Sequence, residues 1–351
     1  MVNVKARVAS IERQLAPLST DLRSFLDLVW THRKDHQTGT YTAENADVYG
    51  LYARAHKNFA FGSAGIQSFF QKLLSMPQLP EIQCAPNKKK DRLGRYLKSH
   101  FNAQAAASGF AVINHLNFTR LAQAARGSAR LSSALANTFY HFRRNLLHSS
   151  DRIYLHTKPL QSMRVMEFVL NRMVLRPTEH PGLSNAKVSA PGQESRYDTI
   201  VLYLADTNAV NKALDEIANY QHAGNHVWFL PGNTRTTKAI TKHNGINLVG
   251  VGTGAEPPVA LYKHNNDLVP IPGGSSFGSF RSQLIQAALK TTLDKGEGKP
   301  QFMARVAGYF KAIGIDPQQP HKHLNSPEIQ YRARVTLQQL QSGKEPSWKI
   351  T

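Results

Sequence analysis

The apolar residues of this chain change their spacing near residue 150, and that change limits the fold to a mixture of helix and sheet. Before it, Leu15, Leu18, Leu22, Phe25, Leu26 and Val29 recur every three or four positions, one stripe of a helix, with Ser19, Thr20 and Asp21 as candidate caps. The runs 51–61, 66–74 and the Ala-rich 101–136 continue in that style. Pro77, Pro80 and Pro86, with Asn87 and the lysines 88–90, interrupt them as a surface loop. After the change, residues 152–158 alternate polar and apolar as a half-buried strand does. Residues 160–174 return to helical spacing, 186–188 read as a short strand, and 199–204 is the clearest strand in the chain. Asp206 and Thr207 cap a helix that runs to Tyr220. Residues 226–230 and 245–254 read as further short strands, and 279–293 and 302–313 as helices, the last stopped by Gly314. The strand intervals permit antiparallel pairing. The expected fold is therefore α+β: a basic helical N-terminal region (1–148), a mixed or antiparallel sheet domain flanked by helices (149–325), and a tail (326–351).

Charge narrows the partners. Lys and Arg number 43 against 23 Asp and Glu, a net +20, and no acidic residue occurs between Arg92 and Ser150. Such a surface attracts phosphate on nucleic acid, lipid or phosphorylated protein; a plain solvated surface is the alternative. No zinc finger, RNA-recognition signature or interleaving of basic and aromatic residues is present, so nucleic acid is not the expected partner. No apolar run approaches the ~18 residues of a spanning helix, and the first residues lack the apolar stretch of a signal peptide. Cys84 stands alone, which excludes an internal disulfide and a thiolate zinc cluster. There is no G-x-S-x-G elbow and no H-E-x-x-H. The glycines from Gly250 to Gly254 run into Glu256-Pro257-Pro258 instead of a helix, which rejects a dinucleotide loop. No metal or cofactor is expected.

A cationic set remains. Alternation along 152–158 puts Arg152, Tyr154, His156 and Lys158 on one face, and Ile153, Leu155 and Thr157 on the other. That face is either an anion site or an exposed outer surface. Lys187 lies on the second short strand, and Arg196 and Asp198 lead into the strongest one. Arg281 stands near the start of a helix behind a Gly/Ser-rich loop, where free backbone N–H groups also favour an anion.

Four ordered segments resemble the Hop-A-type type III effector family. They are Asn185-Ala-Lys187-Val-Ser-Ala-Pro-Gly with Arg196-Tyr-Asp198-Thr-Ile-Val-Leu-Tyr-Leu204; Gly254-Ala-Glu256-Pro-Pro258; Ser276-Phe-Gly-Ser-Phe-Arg281 through Leu289; and Gly314-Ile-Asp316-Pro-Gln-Gln-Pro320. They span about 145–325. Domains of this type also serve as lyases in the maturation of dehydrated peptides, and they are distantly similar to phosphothreonine lyases. The resemblance implies β-elimination of phosphate from phosphothreonine or phosphoserine, with Lys187 as base and Arg196 as phosphate-binding arginine. Arg152, Arg281 and Lys158 would bind phosphate too, and Asp198 and Glu256 would support. The lyases place their acid on a Lys-x-His strand. Here the comparable strand offers His156 or Tyr154, in a different order. A base removing so weakly acidic a proton needs a free amine and strong stabilisation of the leaving dianion, and clustered guanidiniums supply the second. The resemblance further implies a phosphorylated protein or peptide as substrate, a secretion chaperone as partner, and delivery into a host cell by a bacterial secretion system. A non-catalytic effector that binds a host protein, and a cytoplasmic lyase in peptide maturation, are the alternative readings.

Overall fold

The computed structural model describes residues 18–33, 47–54, 63–75, 82–85, 111–113, 123, 127–128, 135–136, 139–143, 149–255, 261–264, 267–270, 277–323 and 339. The helices among them are α1 (Thr20–His32), α2 (Val48–Ala53), α3 (Ser63–Ser75), α4 (Ser162–Val169), α5 (Thr207–His222), α6 (Phe277–Asp294) and α7 (Lys299–Ala312). The longer strands are β1 (Ile82–Ala85), β2 (Ala111–Ile113), β3 (Phe139–Arg143), β4 (Asp151–Leu155), β5 (Leu183–Ser189) and β6 (Ile200–Leu204). Short strands follow: β7 (Lys238–Ala239), β8 (Lys242–His243), β9 (Ile246–Asn247) and β10 (Val251–Ala255), then the hairpin β11 (Leu261–His264) and β12 (Asp267–Pro270). The chain divides into two compact units. One holds residues 1–53, 235–238 and 254–351; the other holds 54–234 and 239–253.

The first unit is mainly helical. Ser19 Oγ accepts from the Leu22 N–H at 3.2 Å and starts α1, whose stripe Leu22, Phe25, Leu26 and Val29 is buried. Helix α2 packs on α6 so closely that a Cβ at Gly278 would lie 2.0 Å from the Tyr52 ring. Helix α7 lies against α6, starts with Pro300 in its first turn, and gives way to Gly314 at φ +80°.

The second unit is built on the sheet. Six strands run in the order β2-β1-β3-β5-β6-β4, antiparallel throughout, and β10 and β7 extend the β4 edge. One face carries Tyr140, Phe142, Ile153, Leu155, Ala186, Val188, Ile200, Leu202 and Leu204. These pack with Met163, Val165, Met166 and Val169 of α4 and Ala213, Leu214 and Ile217 of α5. Each large apolar side chain buried there contributes roughly 1.5–3 kcal/mol, so the register is held firmly. Period two then sends Phe139, His141, Arg152, Tyr154, Asn185, Lys187, Ser189, Val201 and Tyr203 to the opposite face.

Most of the expected elements after residue 150 are present, including the Asp206 cap, whose carboxylate accepts from the Ala209 N–H at 2.8 Å. The expected strand at 226–230 is instead a 3-10 turn, Asn225–Trp228. Gly224, at φ +90°, ends α5, and Asn225 closes the turn on itself, donating to the Tyr220 carbonyl and accepting from the Trp228 indole. These local bonds displace a ladder, leaving only the bridge from Phe229 to Thr157. Strand β1 falls within the expected proline-rich loop and β2 within the expected Ala-rich helix. Pairing of Ile82 with Ile113 and of Cys84 with Tyr140 overrides the local helical preference.

Gly250, at φ +65°, lies where a Cβ would stand 2.4 Å from the Leu230 carbonyl and 2.7 Å from that of His156. Backbone cannot give way there, and the left-handed conformation adds its own penalty. Gly250→Ala is therefore expected to cost at least about 2 kcal/mol of stability, read as a lowered midpoint in chemical denaturation. An unchanged midpoint would contradict this placement.

Candidate functional site

The second face of the sheet is polar and yet buried. His141, Arg152, Tyr154, His156, Asn185, Lys187 and Ser189 are all buried, whereas Lys158 is exposed. Removing such groups from water costs several kcal/mol each unless partners are provided, so their arrangement is a built feature. Its edges are pinned by hydroxyls. Thr199 Oγ1 donates to the Leu155 carbonyl at 2.8 Å and accepts from the Thr157 N–H at 2.9 Å, locking the end of β4 to the start of β6.

Lys187, Arg196 and Asp198 come together. The Lys187 Nζ lies 4.3 Å from the centroid of the Phe139 ring, and the Arg196 guanidinium carbon 5.3 Å from the same centroid. Arg196 grips Asp198 through two parallel bonds, Nε to Oδ1 at 2.7 Å and Nη2 to Oδ2 at 3.0 Å. Burial pushes the Asp198 carboxyl up. The Arg196 and Lys187 charges and its hydrogen bonds outweigh that and hold it below the ordinary carboxylate value. The alternating face read from the sequence joins this set: Arg152 and Tyr154 share it, and the Arg152 guanidinium lies 4.5 Å from the Tyr203 ring centroid.

Sequence reasoning missed His141. It pairs directly across from Lys187 in the β3–β5 ladder, and cross-strand partners share a face. Asn185 Nδ2 lies 3.0 Å from its Nδ1; with the amide donating, the imidazole proton sits on Nε2. The signal was present in Tyr140-His141-Phe142-Arg143, where apolar and polar residues alternate, although the preceding Phe139 obscures it. Asn185 and Ser189 flank Lys187 on the same face. The buried Oδ1 of Asn185 and Oγ of Ser189 have no hydrogen-bond partner among the described residues.

The other anticipated residues are placed differently. His156 donates from Nδ1 to the Pro231 carbonyl at 3.0 Å and meets Tyr197 edge-on, with ring centroids 5.0 Å apart. Arg281 belongs to the first unit, where it is fully buried, stacks 3.6 Å from the Phe277 centroid, and donates from Nε to the Pro320 carbonyl at 2.8 Å. In that unit, burial and the nearby Arg281 charge bring the His323 imidazole down to about 4. Glu256 lies outside the described residues.

One buried carboxyl near the site was not anticipated. Glu194 accepts from Ser162 Oγ and from the Leu160 N–H, and burial pushes it up to about 7 against those two bonds. Among the described residues, one group has the composition of a metal site: Glu179, His180 and Glu216, with ligand atoms within 4.8 Å of one another. Its carboxylates are engaged by arginines, Glu179 by Arg176 at 3.1 Å and Glu216 by Arg172 at 3.4 Å, so the cluster reads as an ion-pair network.

No family model matches the chain, and no curated protein matches it. Among solved structures, the effector protein from Pseudomonas syringae pv. syringae strain 61 aligns with 87% of this chain and 98% of its own, at a TM-score of 0.51 and 14% identity. The effector protein from Pseudomonas syringae pv. tomato strain DC3000 aligns with 88% of this chain and 100% of its own, at 0.52 and 15%. At these identities the likeness is one of fold.

Asp198→Asn leaves the buried Lys187 and the half-buried Arg196 beside a neutral amide and is expected to cost about 3 kcal/mol near neutral pH. A carboxyl depressed in the fold stabilises it fully above its unfolded value, and this contribution is lost as pH falls through the folded value. Denaturation midpoints of the wild type and the variant should therefore be far apart at pH ~7 and converge as pH drops well below the ordinary value of 3.8. A gap independent of pH would contradict the charge pairing.

Proposed function

We propose that the buried polar face of the sheet binds a phosphate dianion on a protein or peptide side chain and eliminates it. The observation that supports this best is the convergence of Lys187 and Arg196 on Phe139, with Asp198 bound to Arg196, His141 opposite Lys187, and the buried Ser189 hydroxyl available to donate on the same face. In the proposed reaction the Lys187 amine takes the α-proton of phosphothreonine. The Cα–H electron pair becomes the Cα–Cβ double bond, the Cβ–O bond breaks, and phosphate departs with the electron pair of that Cβ–O bond. His141 supplies the proton that the bridging oxygen acquires: as an imidazolium across the ladder from the base it gives the Nε2 proton and is left neutral, with the Asn185 amide turned so that its Oδ1 accepts from Nδ1–H. Arg196 neutralises the departing dianion, and Arg152 adds positive charge on the same face. Asp198 keeps Arg196 in orientation and takes no proton in the reaction. Tyr154, on the same face, is the other proton donor of the proposed site.

The fold likeness to Pseudomonas syringae effector proteins supports a role as an effector delivered to a host cell by a bacterial secretion system, acting on a phosphorylated host protein. No helix among the described residues is long and apolar enough to cross a membrane. A second reading is favoured by the Lys187 charge that helps depress Asp198: a site that binds phosphate without eliminating it, and so occupies a host partner.

Mass spectrometry of a phosphothreonine peptide separates the two readings. Elimination removes about 98 mass units and leaves dehydrobutyrine, whereas hydrolysis leaves threonine and binding alone leaves the peptide intact. Lys187→Ala is expected to abolish the loss while keeping peptide affinity within a few-fold. His141→Gln should slow turnover by about 10²–10⁴ with binding retained. Intact peptide with the wild-type protein under saturating binding rejects elimination.

A further inference from the structure

Between the base and the phosphate-binding arginine the chain turns sharply. Strand β5 ends at Ser189, a single 3-10 turn, Pro191–Gln193, follows, and Glu194 caps it two residues before Arg196. Connecting segments move unless something ties them down, and this one decides where the Arg196 guanidinium stands. The tie is Glu194. Its side chain is wholly buried, with one carboxyl oxygen accepting from Ser162 at the first residue of α4 and the other from the backbone N–H of Leu160.

Leu160 is itself unusual. It stands at φ +62°, a left-handed conformation that strains a branched L-residue. Its side chain lies over Gly65 of α3, where an added Cβ would approach Leu160 Cδ2 to 3.1 Å. Helix α3 also lies against Pro191–Gln193. A strained turn, a helix and the arginine-bearing loop are thus joined at one buried carboxyl. A side chain that only filled space there would be apolar, since burying a carboxyl costs several kcal/mol before its hydrogen bonds offset it.

We propose that Glu194 is a positioning residue for the anion site: by holding Leu160 and Ser162 it fixes the 190–196 loop, and with it the point at which Arg196 meets the anion. This rests on the reading of the polar face as a dianion site. Glu194 does not touch the anion. Its effect is on how often Arg196 stands ready, and it is therefore felt in affinity.

Sulfate is the probe, a dianion across the neutral range that cannot be eliminated. Its dissociation constant is measured by calorimetry, alongside the melting temperature, for the wild type, Arg196→Ala, Glu194→Ala, Glu194→Gln and Ser162→Ala. Arg196→Ala is expected to weaken sulfate more than about tenfold, and Glu194→Ala by about tenfold. Glu194→Gln keeps an acceptor for the Leu160 N–H and should stay within about threefold of wild type, while the milder Ser162→Ala should lose about two- to threefold. Adding Leu160→Gly to Glu194→Ala relieves the strained turn and should recover part of the loss, which a purely structural role would not produce. If Arg196→Ala loses sulfate while Glu194→Ala and Ser162→Ala bind it as the wild type does, the positioning role is overturned and the anion site stands. If Arg196→Ala binds sulfate normally, the dianion reading fails as well, and Glu194 has nothing to position.

Discussion

Everything proposed for this protein depends on a carboxylate, Asp198, buried between two cations on the polar face of an antiparallel sheet. A guanidinium and an ammonium cannot be held away from water without a counter-charge, and Asp198 supplies it through a two-bond grip on Arg196 and the nearby charge of Lys187. Among the described residues, Asp198 faces the two cations Arg196 and Lys187, with Arg152 on the same face. Such an arrangement is poor value for stability alone, because an apolar cluster of similar volume would serve as well or better. It makes sense where an anion completes the balance.

The sheet makes the arrangement possible by dividing its two faces. The face packed on α4 and α5 is apolar and fixes the register, and a slip of one residue would exchange every side chain between faces. With the register held, four neighbouring strands deliver His141, Lys187, Tyr203 and Arg152 to one side without any of them contributing to the core. The rigidity of the site is thus borrowed from the hydrophobic face behind it. What the sheet does not fix is the loop between β5 and β6, and there a buried glutamic acid provides the anchor.

How much of this could be read from the sequence depended on distance along the chain. The alternation of 152–158 and the apolar run 199–204 announced β4 and β6, because a strand with one buried face writes its period directly into the residue order. Lys187 and Arg196 entered the cationic set as ordinary basic residues beside the strands, and only the resemblance of their motifs to effectors gave them roles. His141 escaped because its meaning comes from a partner 46 positions away, and the aromatic beside it breaks the alternation. Glu194, in a Gly-Gln-Glu-Ser stretch, reads as solvated loop. Its burial is decided by Leu160 and Ser162, which no local pattern connects to it. Strands β1 and β2 were hidden for the same reason: short segments with weak preferences take their conformation from the neighbour they pair with.

The most direct test of the central claim is a crystal structure of the Lys187→Ala protein soaked with a phosphothreonine peptide. The account predicts a phosphate within hydrogen-bonding distance of the Arg196 guanidinium, on the face shared by His141, Asn185 and Ser189, with the threonine Cα turned toward the position vacated by the lysine. Phosphate bound elsewhere on the protein, with this face filled only by water, would contradict it.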